Sequence, residues 1–130
     1  MIPSDAQKYN ILLALWNVLD AANLSDNILI DNRKSASKLD SFVVIGINGR
    51  IRNQMGYSRC NCFVQLFAKD VDTVGTVNIT TIASMSTALQ TAITKDKHSG
   101  AYTFNMGDEI GKRDFLGFHS VIYDVSCLVS

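Results

Sequence analysis

The sequence predicts an α+β domain in which two helices pack on an antiparallel or mixed sheet of four to five strands. Two segments have the apolar spacing of a helix, and the segments between and after them alternate like strands. All 130 residues are expected to form a single domain, because this length is typical of one domain. The predicted order of elements is α-β-β-β-α-β-β.

The first helix is predicted from Ser4 to Ala22. Ser4 suits the N-cap position, and Gln7 follows at the spacing of a capping box. Asn23 is the expected stop. We expect Trp16 to anchor the core, and Trp16→Ala would then cost about 3–5 kcal/mol if the side chain is fully buried. The apolar stripe of this helix is formed by Leu12, Leu15, Trp16 and Leu19.

Two strands are predicted after this helix. Ile28–Ile30 is a short apolar segment, and Phe42–Ile47 has the apolar run of a strand that is buried on both faces. Asn48-Gly49 is either a turn or a bulge in a longer strand, because Ile51 continues the alternation. The polar residues between the two segments, 32–40, are expected to form a loop.

A third strand is predicted from Arg59 to Ala68, after a loop or hairpin tip at residues 53–58. The period of two places Cys60 and Cys62 on one face and Phe63 and Phe67 on the other. Because both faces are partly apolar, we expect a central strand or a strand that a partner covers.

The second half begins with a helix predicted over Val77–Thr94, with Gly100 as the stop and Lys97 and His98 near its end. It is followed by a short strand at 102–106, a charged loop at 107–114, and a closing strand at 115–129. The closing strand alternates clearly, with Val121, Tyr123, Val125, Cys127 and Val129 on one face.

The charge of the chain excludes some classes of partner. Twelve basic and twelve acidic side chains cancel, so no overall field attracts nucleic acid or an anionic membrane. No apolar run approaches the ~18 residues of a membrane span, and we expect no membrane partner. Three cysteines form an odd and small set, which favours a reducing compartment over a disulfide scaffold.

We find no motif of a catalytic, metal or cofactor site, and we predict neither enzymatic activity nor a cofactor. Cys60-x-Cys62 has no second cluster to complete a zinc site, so two core thiols explain it better. His119 would meet Cys60 or Cys62 if their strands were neighbours, which leaves open a small enzyme with a cysteine nucleophile. The alternative is a partly buried histidine that bonds a backbone carbonyl.

Basic residues near two predicted turns are candidates for an interface or a channel. They are Arg50, Arg52, Arg59, Lys112 and Arg113. Convergence of the two turns would create a positive patch for phosphates or an acidic surface. Ordinary solvated charges are the alternative, because acidic residues lie among them. Asp70, Asp72, Asp108 and Glu109 are the expected acidic counterparts.

Four segments carry a resemblance to a known family. They are the helix Ser4–Ala22, the strand Phe42-Val43-Val44-Ile45-Gly46, the helix Val77–Thr94 and the closing segment Gly117–Val125. In their order, across nearly the whole chain, they resemble the tail terminators and head–tail joining proteins of tailed bacteriophages. Gly117-Phe118-His119 before an alternating strand is similar to the terminal strand of such proteins.

The resemblance implies a structural virion protein of the neck or tail, made in the host cytoplasm. Its members form homo-oligomeric rings, often hexamers, that contact neighbouring neck or tail-tube proteins and let DNA pass as cargo through the lumen. The family has no catalytic residues to carry over. A small adaptor that binds one protein or peptide, without catalytic activity, remains the alternative.

Overall fold

A computed structural model of the chain describes residues 5–23, 28–30, 41–54, 57–70, 79–93, 97–115 and 118–129. Within these ranges the chain forms two helices and six strands, which confirms the α+β class but exceeds the predicted four to five strands. The helices are α1 (Asp5–Ala21) and α2 (Ile79–Ala92). The strands are β1 (Ile28–Ile30), β2 (Ser41–Gln54), β3 (Tyr57–Lys69), β4 (Lys97–Ser99), β5 (Tyr102–Phe115) and β6 (Phe118–Val129).

The six strands form one sheet in the order β1-β2-β3-β6-β5-β4. Five of them are antiparallel to their neighbours, and β1 joins the edge in parallel to β2. β3 and β6 therefore lie at the centre of the sheet and are paired along their length. The predicted order of elements lacked β4.

The two helices end differently from one another. Asn23 adopts the left-handed conformation with φ of 53°, and its N–H donates to the Asp20 carbonyl at 3.0 Å, so the predicted stop of α1 is confirmed. Ser4 lies outside the described residues. α2 ends at Ala92, well before Gly100, and the prediction that Lys97 and His98 lie at its C-terminus is wrong.

Lys97 and His98 instead belong to the edge strand β4. Ser99 pairs with Tyr102, which leaves Gly100 in the first position of a two-residue hairpin loop. Its φ of +61° suits the type II′ turn that such loops favour. The glycine therefore ends a strand rather than a helix.

β2 continues through Asn48-Gly49 to Gln54, with a register shift between Asn48 and Arg52. The bulge, not the turn, is thus the correct alternative at this dipeptide. Gln54 pairs with Tyr57, so the chain reverses at the predicted hairpin tip, whose residues 55 and 56 lie outside the described ranges.

The predicted loop at residues 107–114 is wrong, because these residues lie within β5. They pair with β6 through two register shifts, one between Met106 and Glu109 and the next between Glu109 and Gly111. Gly107 is needed at the first shift, since an added Cβ would lie 2.9 Å from the carbonyl oxygen of Asp124.

The main core joins both helices to one face of the sheet. Leu12, Leu15 and Leu19 of α1 and Leu89 of α2 are fully buried in it. The strands contribute Val43, Ile45, Cys60, Cys62, Val64, Leu66, Phe104, Val125 and Cys127. These positions follow the period of two that places alternate side chains on one face.

A second cluster lies on the opposite face of the sheet. Phe42 and Phe67 stack with ring centroids 4.4 Å apart and planes 11° apart, and Phe118 meets Phe42 edge-on at 5.5 Å. Val44 completes the buried cluster, and Phe63 packs against it. The sheet therefore has apolar residues on both faces, as the sequence of β2 and β3 predicts.

Trp16 is only half-buried, so the condition for a loss of 3–5 kcal/mol in Trp16→Ala is not met. Its ring packs against the main core, and its indole N–H donates to the Ile28 carbonyl at 3.3 Å. This hydrogen bond ties α1 to the edge strand β1.

Trp16→Phe is expected to lower the free energy of unfolding by about 0.5–1.5 kcal/mol, because phenylalanine keeps an aromatic ring but donates no hydrogen bond to Ile28. Urea denaturation followed by circular dichroism measures this change. The exposed Tyr9→Phe in the same helix is the matched control, with an expected effect below about 0.5 kcal/mol. Equal effects of the two variants would contradict a contribution from the indole hydrogen bond.

Candidate functional site at the two ends of the sheet

The register of the strands defines two ends of the sheet. At the Arg59 end, Gln54 pairs with Tyr57 and, one position further along β3, Ser58 pairs with Val129. At the His119 end, Ala68 pairs with Ser41 on one side and with His119 on the other. All five basic candidates and the histidine can be placed relative to these ends.

Three of the basic candidates lie near the Arg59 end. Arg52 of β2 pairs directly with Arg59 of β3, and the Arg59 side chain is exposed. Arg50 lies in the irregular stretch of β2 between Asn48 and Arg52. Two like charges at directly opposed positions destabilise a sheet. The register thus places two basic residues at opposed positions at this end, where an acidic group or a phosphate from a partner would neutralise them.

The other two basic candidates lie towards the His119 end. Lys112 pairs with Val121 and Arg113 with Ser120, and Ser120 in turn pairs with Phe67. Phe67 is eight residues beyond Arg59 on β3, which corresponds to about 26 Å along the strand. The five residues thus form two separate groups along the sheet, about 26 Å apart.

The acidic residues that were expected to face them are also separated. Asp108 and Glu109 are exposed on β5, beside the exposed side chain of Ile110. Asp70 instead lies next to His119, and Asp72 is outside the described residues. Asp108 and Glu109 are therefore the acidic pair that a neighbouring molecule can reach among the described residues.

His119 is hydrogen bonded to a carboxylate. Its Nδ1 is hydrogen bonded to Oδ1 of Asp70, the residue that follows β3. The Asp70 side chain is 7% exposed and that of His119 is 20% exposed. The pairing of Ala68 with His119 brings the end of β3 to this histidine. The contact fixes the orientation of the ring.

The cysteines lie far from His119 along the sheet. Cys60 pairs with Cys127, whereas His119 pairs with Ala68, eight residues beyond Cys60 and about 26 Å along β3. A cysteine nucleophile needs a histidine within hydrogen-bonding distance. Although β3 and β6 are neighbours, their register thus separates His119 from the cysteines, and the structure does not form that dyad.

All three cysteines meet on the core face of β3 and β6, and all are buried as free thiols. Hydrogen bonds from Cys127 and Cys62 lower the pKa of Cys60, against the opposite effect of burial. The hydrogen bond to Cys60 and burial raise the pKa of Cys62 and of Cys127 above the usual value for a thiol. The cluster thus favours a thiolate at Cys60 over one at its neighbours.

Across the part of the chain that the structure describes, no group of three histidine, cysteine, aspartate or glutamate side chains has an arrangement that holds a metal ion. Among the same residues, no helix is long and apolar enough to cross a membrane.

Comparison with known proteins assigns no relative. No family model matches the sequence, and no curated protein matches it.

Proposed function

We propose that the protein is a structural, ring-forming subunit of the neck or tail of a tailed bacteriophage, either a tail terminator or a head–tail joining protein. In this proposal it acts by binding copies of itself and neighbouring neck or tail-tube proteins, not by catalysis. DNA passes through the ring as cargo. The family resemblance of the four sequence segments suggests the setting, and the charges of the sheet support the assembly.

The opposed pair Arg52 and Arg59 is the observation that carries the proposal. A self-assembling chain must supply its own counter-charge. The exposed Asp108 and Glu109 lie on β5, next to the edge strand β4 and two strands away from β3. In a heterologous ring, one surface of each subunit contacts a different surface of the next. The basic pair of one copy would then meet the acidic pair of its neighbour.

The charges would set the register of the ring more than its affinity. An exposed ion pair contributes about 0–1 kcal/mol and weakens as salt increases. Apolar contacts supply the larger part, and the exposed Ile110 beside Glu109 offers one. The neutral total charge of the chain permits such self-association.

Reversal of both arginines, Arg52→Glu with Arg59→Glu, is expected to impair assembly while the monomer stays folded. The double variant places four like charges at the proposed interface, where Asp108 and Glu109 of the next copy meet both glutamates. Sedimentation velocity measures assembly, and circular dichroism checks the fold. Lys69→Glu with Lys97→Glu is the matched control, since both lysines are exposed and the net charge changes equally.

A rescue variant sharpens this experiment. Adding Asp108→Lys and Glu109→Lys to the reversed arginines restores complementary charges with the signs exchanged, so assembly should return. Assembly of the double variant equal to that of the unmodified protein would identify the arginines as solvated surface. Failure of the rescue would show that Asp108 and Glu109 are not their partners.

An adaptor function is favoured by one other feature, the outer edge of β2. β1 pairs with β2 only at Val43–Ile45, and residues 46–54 have no second strand beside them among the described residues. An extended peptide can add to such an edge through backbone hydrogen bonds. A protein that stays monomeric in solution and binds an extended peptide along β2 would support this alternative over the ring.

A further inference from the structure

The three thiols of the chain form a cluster that the proposed assembly does not use. Cys60 and Cys127 are directly opposed on the central strands, and Cys62 lies two residues further along β3 on the same face. The pKa of Cys60 is lowered by both of the other thiols. Two cysteines that face each other in this way are close enough to react.

The register selects one pair for a covalent bond. Directly opposed residues of antiparallel strands have Cα atoms about 4.5–5.5 Å apart, which lies within the range of disulfides. Cys62 pairs with Val125, so it is only a diagonal neighbour of Cys127, at about 7–8 Å. Cys60 and Cys62 are separated by two rises of one strand, about 6.6 Å, close to the upper limit for a disulfide.

We propose that Cys60 and Cys127 are a thiol modification site that a small-molecule disulfide oxidises to a reversible cross-strand disulfide. The Cys60 thiolate attacks one sulfur of the oxidant, forms a mixed disulfide and releases the first small thiol. Cys127 then loses its proton and attacks the Cys60 sulfur, which releases the second small thiol. Two protein thiols are oxidised, the oxidant is reduced to two thiols, and these take up the two protons.

The environment of the cluster indicates that Cys60 reacts first. Its sulfur accepts hydrogen bonds from the other two thiols, which favours the nucleophilic thiolate form. Cys60 is also 4% exposed, against 0% for Cys62 and 2% for Cys127. Oxidation therefore starts at Cys60.

The disulfide would fasten β3 to β6 at the centre of the sheet. It closes a long loop between Cys60 and Cys127 that includes α2, β4 and β5. Closing a loop of this length strongly lowers the conformational entropy of the unfolded chain. Cys62 stays reduced, which is consistent with an odd number of cysteines. The modification would make the oxidised protein more stable than the reduced protein.

The test uses the full chain incubated with oxidised glutathione, then unfolded, alkylated and mapped by mass spectrometry. The expected result is a Cys60–Cys127 cross-link, an alkylated Cys62, and a Tm at least about 5 °C above that of the reduced protein. Cys62→Ala should retain both the cross-link and the shift in Tm. Cys127→Ala should instead accumulate glutathione on Cys60.

Three alkylated thiols after prolonged oxidation would overturn the proposal, as would a cross-link through Cys62. Glutathione on Cys62 or Cys127 with Cys60 unmodified would contradict the order of attack. Dithiothreitol should return the oxidised protein to three free thiols, and a cross-link that resists it would contradict reversibility.

Discussion

Phe67→Ala is expected to lower the free energy of unfolding by about 3–5 kcal/mol. The ring is fully buried and stacks on Phe42 at 4.4 Å, in a cluster on the face of the sheet opposite the main core. Its removal leaves a cavity among aromatic rings and also removes the stacking contact. Urea denaturation followed by circular dichroism measures the loss.

Phe63→Ala is the matched control for this variant. Phe63 lies on the same strand and face as Phe67 but is only partly buried at the margin of the cluster. Its replacement by alanine removes the same atoms, but less buried apolar surface is lost than in Phe67→Ala. A smaller decrease in the free energy of unfolding is therefore expected. A loss for Phe67→Ala no larger than for Phe63→Ala would contradict the existence of a second core.

His119→Ala is expected to cost about 1.5–3 kcal/mol, the range for hydrogen bonds that involve a charged group. The variant removes the hydrogen-bond partner of the Asp70 carboxyl group, whose side chain is 7% exposed. Loss of one hydrogen-bond partner of a largely buried carboxyl group is destabilising. Urea denaturation followed by circular dichroism measures the effect.

A double-mutant cycle isolates the pair. If the hydrogen bond carries the cost, Asp70→Ala should destabilise a chain that already has His119→Ala less than it destabilises the unmodified chain. Strictly additive losses would show that the two side chains stabilise the protein independently. In that case His119 would contribute through packing at the start of β6 rather than through Asp70.

The sequence predicts the elements whose signals are local. The stripe of α1 and its stop at Asn23 depend on neighbouring residues, and the alternation of β6 is visible along a single segment. Residues 107–114 lack that signal, since they combine glycines with charges and are exposed at 107–110. Pairing with β6 makes them a strand, and this tertiary contact overrides their local preference for a loop.

The candidate sites also divide into features that are visible locally in the sequence and features that depend on strand pairing. The flanking of one hairpin by Arg52 and Arg59 is visible in the sequence, and the structure pairs them. The third thiol of the cluster and the partner of His119 depend on the adjacency of β3 and β6, which are far apart in the chain. A strand ending just before Asp70 and another beginning near His119 were the available signals, but the sequence does not specify that these strands pair.

The mass of the protein in solution tests the central proposal most directly. Native mass spectrometry and sedimentation equilibrium should give one closed oligomer of the 14.3 kDa chain, with six copies the number that the family resemblance implies. Its population should increase with protein concentration, and added salt should weaken it. A mass of one chain at every concentration up to the limit of solubility would contradict a ring-forming subunit.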